Sequence, residues 1–161
     1  MPGSGKSTLG VLLAKSLGYS FVDTDLIISR KAEKPLQQIL DCDGIDRFLE
    51  LERQVGSELE CDKTVVATGG SMVLSDEAMH HLKENGVVVY INVPFDEINR
   101  RVKNIKTRGI VFRKNETLAT VYQNRKPLYE KYSDIEIIVS GKAQSIEETI
   151  DELAEKLNNL A

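Results

Sequence analysis

Residues Gly3-Ser4-Gly5-Lys6-Ser7-Thr8 run straight into a stretch with leucines at 9, 12, 13 and 17, the spacing of an amphipathic helix. Two glycines, a lysine and three hydroxyls at the mouth of a helix constrain this chain more than any other feature. They match the phosphate-binding pattern G-x-x-x-x-G-K-[ST] in all but its first glycine, which would fall one position before Met1. Glycine lets backbone N–H groups turn inward around an anion, and the helix N-terminus adds its positive end. Lys6 is then placed for the β- and γ-phosphates of ATP, and the Ser7 hydroxyl for Mg2+. A merely flexible glycine–serine terminus would not explain why a helix begins directly behind it.

A length of 161 residues suits one domain, and a composition of 41% hydrophobic and 29% charged residues is that of an ordinary globular protein. The net charge of −4 argues against a general nucleic-acid binder, so an anionic ligand has to be held by local donors. No apolar run approaches the roughly 18 residues of a membrane span, and no signal-peptide pattern opens the chain. The expectation is a cytoplasmic monomer with no nucleic-acid or membrane partner. Cys42 and Cys61 lack metal-ligand spacing and read as reduced thiols.

Apolar β-rich runs fall at Phe21–Val22, Thr64–Ala67, Val87–Val93 and Ile135–Val139. Helical spacing lies between them at Ser7–Leu17, Ile45–Leu59, Asp76–Lys83, Phe95–Ile105, Leu118–Lys131 and Ile146–Leu160. Strands alternating with helices predict an α/β fold with a mostly parallel sheet covered on both faces. The run Val87-Val88-Val89-Tyr90-Ile91 is continuous, as a strand buried on both faces should be. A phosphate loop ordinarily follows a buried strand, so the first strand is expected to lie upstream of Met1.

Three further segments carry chemistry. Phe21-Val22-Asp23-Thr24-Asp25 ends in two carboxylates that alternate to one side of an extended chain. One is placed to hold Mg2+ through water and the other to accept a hydroxyl proton, while Asp25 also suits a helix N-cap. Thr68-Gly69-Gly70-Ser71 follows a buried strand, and its glycines allow close approach of a ligand or simply a tight turn. The basic stretch from Arg100 to Lys131 supplies cations for a migrating phosphoryl group in an otherwise acidic chain. Within it, the aperiodic region at about 107–117 reads as a lid over ATP.

These elements resemble the shikimate kinase family over essentially the whole chain. The resemblance rests on the phosphate loop followed by Leu9-Gly10-x-x-Leu13-Ala14-Lys15-x-Leu17-Gly18, on Phe21-Val22-Asp23-Thr24-Asp25, on Ala67-Thr68-Gly69-Gly70, and on Arg125-Lys126-Pro127-Leu128-Tyr129. It implies a P-loop NTPase fold like that of nucleoside monophosphate kinases, with a five-stranded parallel sheet of order 2-3-1-4-5 between helices, in a single domain over 1–161. It implies phosphorylation of the 3-hydroxyl of shikimate by ATP with Mg2+, on the route to aromatic amino acids. By the same resemblance Gly3, Ser4, Gly5, Lys6, Ser7 and Thr8 bind ATP phosphates, Ser7 ligates magnesium, and Asp23 holds it through water. Asp25 binds the substrate hydroxyls and serves as base, Gly70 offers backbone donors with Gly69 beside it, and Arg125 pairs with the substrate carboxylate. Arg101 sits over adenine, and Arg108 swings in on the lid to the phosphates, with Lys6, Asp25 and Arg108 the catalytic set.

Three positions depart from the family pattern. Leu49 stands where Phe48-Leu49-Glu50-Leu51-Glu52 should carry an arginine for the substrate carboxylate, Gly109-Ile110 follow Arg108 in place of proline and leucine, and Ser71 replaces a third glycine. One lost charge-assisted contact costs on the order of 1.5–3 kcal/mol, or roughly tenfold to over a hundredfold in affinity. Arg53, one turn beyond Leu49, is the candidate to supply the missing charge. The readings left open are a kinase for another small alcohol, such as gluconate or homoserine, and a nucleotide-binding module without turnover.

Overall fold

The computed structural model describes residues 1–102, 109–139 and 145–159. Helix α1 (Lys6–Leu17) leads to strand β1 (Ser20–Asp23), then to α2 (Thr24–Ala32), α3 (Leu36–Cys42) and α4 (Gly44–Glu58). Strand β2 (Thr64–Ala67) follows, then a 3-10 turn (Met72–Leu74), α5 (Asp76–Glu84), β3 (Val89–Asn92) and α6 (Phe95–Arg101). The described chain closes with α7 (Leu118–Tyr132), β4 (Ile135–Ile138) and α8 (Ile146–Asn158). No helix among the described residues is long and apolar enough to cross a membrane.

The alternation read from the sequence is present, with parallel pairing throughout. β1 pairs with β2 from Ser20 opposite Thr64 to Asp23 opposite Ala67, and β3 pairs with β4 from Val89 opposite Ile135 to Asn92 opposite Ile138. Among the described residues these are two two-stranded sheets rather than one of five strands, with no strand ahead of α1. Val65 of β2 and Val89 and Ile91 of β3 pack on the same cluster, built from Leu9 and Leu13 of α1, Ile135 and Ile137 of β4, and Ile150 and Leu153 of α8. One helix face thus spans both strand pairs.

Two expectations shift. The sequence suggested a buried strand from Val87, yet β3 begins at Val89 and Val87 is exposed. The Val88 N–H donates to Asp134 Oδ2, and the Val88 carbonyl accepts from Asp134 and Ile135, so the chain enters the strand only beyond Val88. The segment 24–43, unassigned from the sequence, forms α2 and α3. They are separated by Glu33 with φ of 54° and by Pro35, which breaks a longer period into two-turn pieces. Ile28 and Ile39 from these helices are fully buried with Phe48, Leu51 and Val55 of α4.

Candidate active site

The phosphate loop takes its shape from two left-handed glycines, Gly3 at φ 77° and Gly5 at φ 87°, which side-chain-bearing residues reach only with strain. A Cβ on Gly3 would also stand 2.6 Å from Val102 Cγ2. Gly5 is the residue ahead of α1, so the first-turn amides of Lys6, Ser7 and Thr8 lack partners within the helix and lie open to an anion. Ser4, between the two glycines, is buried. Arg101 lies alongside, its Nη1 3.5 Å from the Gly3 carbonyl oxygen and its Nε donating to Glu97 at 2.7 Å.

The two carboxylates are not equivalent. β1 ends at Asp23 and α2 begins at Thr24, so the extended-chain alternation stops before Asp25, and the N-cap is Asp23 rather than Asp25. Asp23 Oδ1 accepts the Asp25 N–H at 3.0 Å, and Asp23 Oδ2 accepts from the Ser7 hydroxyl at 2.7 Å. Ser7 and Asp23 therefore set two oxygens side by side, the donor type that magnesium takes. Among the described residues no three carboxylate, histidine or cysteine side chains gather into a metal cage. A magnesium ion held there would have to take its remaining ligands from phosphate oxygens and water.

Asp25 instead faces a cavity of about 280 Å3, together with Lys6, Gly70 and Arg125. Burial raises the affinity of its carboxyl for a proton, Asp23 adds to the effect, and Lys6 opposes it. A proton acceptor of this kind is stronger than a solvated aspartate. Arg125, 4% exposed, donates from Nη2 to the Val111 carbonyl at 3.0 Å and leaves further guanidinium N–H groups for a carboxylate. Gly69 donates its N–H to Thr24 Oγ1 at 2.9 Å, so its amide is already committed. Its missing side chain matters more, since a Cβ there would lie 2.3 Å from Glu52 Oε1 and 2.9 Å from Asp25 Oδ1. Of the region read as a lid, Gly109, Ile110 and Val111 wall this cavity and Val111 is buried in the core; Arg108 and position 107 lie outside the described residues.

Glu52 is the residue the sequence reading overlooked. It is 2% exposed and lines the cavity, and its Oε2 has no hydrogen-bond partner among the described residues. Burial pushes its carboxyl up to about 7; Ser71 opposes this by hydrogen bonding, Asp25 reinforces it, and the charges of Arg125 and Lys6 oppose it. A signal was present in the sequence, because Phe48, Leu51, Glu52 and Val55 share the i, i+3, i+4, i+7 stripe of α4, where a carboxylate is out of place. Folding raises this pKa from 4.5, so the folded state holds a proton that the unfolded chain releases between pH 4.5 and 7. Stability is then fully present below pH 4.5 and falls by on the order of 3 kcal/mol as pH rises through about 7. Between pH 5 and 8 the denaturant midpoint of the unmodified chain should fall relative to that of Glu52→Gln, a difference that removes the titrations the two proteins share, such as that of the buried N-terminal amine.

Leu49 and Arg53 face a neighbouring cavity of about 670 Å3, which meets the first at Glu52, Ser71, Val111 and Arg125. Arg53 is held there by Glu50 at 2.6 Å and by Glu77 of α5 at 2.6 Å, and it does not line the cavity of Asp25. In the cavity that it shares with Leu49 and Arg125, its guanidinium is therefore already engaged by two carboxylates. Arg53→Ala should leave the acceptor KM within about twofold of its starting value, the range of an exposed ion pair.

The shikimate kinase family model matches residues 2–158. The chain belongs to the shikimate kinase family. Its curated relatives in that family include the shikimate kinase of Microcystis aeruginosa, 39% identical over 143 residues, covering 87% of this chain and 74% of that one. The shikimate kinase of Clostridium botulinum strain Eklund 17B is 32% identical over 160 residues, covering 99% and 94%. Among solved shikimate kinases, that of Acinetobacter baumannii in complex with shikimate superposes with a TM-score of 0.82 at 30% identity, covering 99% of this chain and 87% of that one. That of Aquifex aeolicus superposes with a TM-score of 0.79 at 32% identity, covering 98% and 92%. The family fold is therefore this chain's fold, and the chain is a kinase of the shikimate family that uses ATP.

Proposed function

We propose that this chain transfers the γ-phosphate of ATP to the 3-hydroxyl of shikimate, with the phosphate loop and the cavity of Asp25 as the two halves of one site. The observation that carries the reading is that Gly3, Lys6, Asp25 and Arg125 all line a single cavity. The reading needs a phosphate grip, a proton acceptor and a carboxylate-binding cation around one small molecule, and these residues carry the groups for it.

Lys6 and the amides of the first turn of α1 hold the β- and γ-phosphates and offset the charge that builds on the migrating group. Asp25 accepts the proton of the attacking hydroxyl as the new O–P bond forms and the bond to the β-phosphate breaks. Arg125 holds the acceptor carboxylate at the far side of the cavity, and Gly70 and Ser71 border the acceptor ring. Ser7 and Asp23 would hold Mg2+, which supplies charge neutralisation at the phosphates when bound. Arg101, packed against the loop, closes the nucleotide end, where the family resemblance puts adenine.

Coupled ATP turnover with a panel of shikimate, gluconate and homoserine tests this reading. Turnover with shikimate, and a product phosphorylated at the 3-hydroxyl, is the expected result. Silence with shikimate and turnover with another acceptor would transfer the assignment to that alcohol, a result that Leu49 facing the second cavity would rationalise.

A further inference from the structure

Tyr129 sits one helical turn beyond Arg125 on α7, so the two side chains leave the same face of that helix. Its hydroxyl donates to the Gly70 carbonyl at 2.6 Å. Its ring stacks on Tyr90 of β3, with centroids 5.3 Å apart and planes inclined by 19°. The phenol is therefore fixed by its ring and spends its proton on a backbone oxygen of the loop at the acceptor cavity. Burial raises the hydroxyl to about 12, which keeps it a donor across the working pH range.

The loop needs such a restraint. Gly69 and Gly70 have no side chains to limit their backbone angles, and a freely turning acceptor loop would have to be ordered by the substrate at the expense of affinity. The Gly70 carbonyl and the Ser71 N–H belong to one planar peptide unit, so holding the oxygen fixes the direction of the N–H as well. Gly69 is already pinned from the other side by Thr24. Arg125, which also reaches the Tyr129 oxygen, has its own anchor on the Val111 carbonyl and depends on the phenol less.

We infer that Tyr129 is a positioning residue for the acceptor, its hydroxyl holding the Gly70 carbonyl and so setting how the Gly69–Gly70–Ser71 backbone meets the substrate. The inference rests on the shikimate kinase reading above. It assigns Tyr129 no contact with substrate. Its effect is specific to the acceptor and to the group on the acceptor that the loop grips.

The test is Tyr129→Phe, which keeps the ring and its stacking and removes only the hydroxyl. The acceptor KM should rise about five- to tenfold, the worth of one well-formed hydrogen bond, while the ATP KM stays within about twofold. Shikimate analogues lacking one non-reacting hydroxyl, and the analogue with its carboxylate converted to an amide, then locate the effect. The Tyr129→Phe penalty should shrink below about twofold with one deoxy analogue and persist with the amide. A penalty that disappears with the amide would overturn the inference, because Tyr129 would then act through Arg125. A penalty that is the same for every acceptor, or that falls on ATP and acceptor alike, would reduce Tyr129 to a packing residue. Should Tyr129→Phe fail to fold, Tyr90→Leu carries the same measurement by loosening the ring, with the same acceptor-selective rise expected and a uniform loss contradicting it. Failure of the function assignment is distinguishable, since the unmodified chain would then not turn over shikimate at all.

Discussion

Lys6→Ala lowers kcat by about a hundred- to a thousandfold, the scale seen when a charge-stabilising donor is removed from a pre-organised site. The lysine is the first residue of α1 and points into the cavity shared by Asp25 and Arg125, where it is the phosphate-side cation. In phosphoryl transfer the protein does little covalent chemistry, and catalysis comes from holding the reactants in line and offsetting charge on the migrating group. Among the described residues Arg125, on the acceptor side, is the other lysine or arginine that lines the cavity. Arg101, the nearest alternative, is tied to Glu97. Steady-state turnover with saturating ATP and shikimate checks this. A variant within tenfold of the unmodified rate would mean that the phosphates lie elsewhere. The fold should survive, since Lys6 is half-buried and makes no hydrogen bond among the described residues that the alanine would orphan.

Asp25→Asn separates chemistry from binding. The amide keeps the shape of the side chain and can still meet a hydroxyl, but it cannot take up the proton that leaves the acceptor. kcat is expected to fall by about 10²–10⁴-fold while the KM for ATP moves less than about threefold. Burial and Asp23 raise the proton affinity of Asp25 against the pull of Lys6, which is the electrostatic setting of a base and not that of a simple salt-bridge partner. The helix start should be unharmed, because the cap of α2 is Asp23 and the donor to it is the Asp25 backbone N–H. An equal loss in ATP affinity and in turnover would make Asp25 structural.

The sequence was legible where one stretch of chain carries a whole feature. The phosphate loop and its helix lie within the first 17 residues, and the strands at 64–67 and 135–138 are short apolar runs between helical periods. It was least legible where a partner comes from far along the chain. Spacing placed Arg53 on the face of Leu49, and both do line one cavity; that its guanidinium is taken up by a second carboxylate depends on Glu77 of α5, 24 residues on. The Gly69 amide looked available for substrate until Thr24, 45 residues earlier, took it. Helices α2 and α3, of nine and seven residues, give barely two turns each, too little for a period to stand out. Glu52 needed only a closer look at one helix stripe, since a carboxylate in an apolar row has to be explained by something.

A crystal structure of the chain with a non-hydrolysable ATP analogue, magnesium and shikimate tests the central claim most directly. The account predicts the terminal phosphates inside the turn made by Gly3 to Thr8 with Lys6 on them, and the shikimate 3-hydroxyl within hydrogen-bonding distance of Asp25. It also predicts the shikimate carboxylate on Arg125. Nucleotide bound outside the Gly3–Thr8 loop, or an acceptor seated away from Asp25, would contradict it.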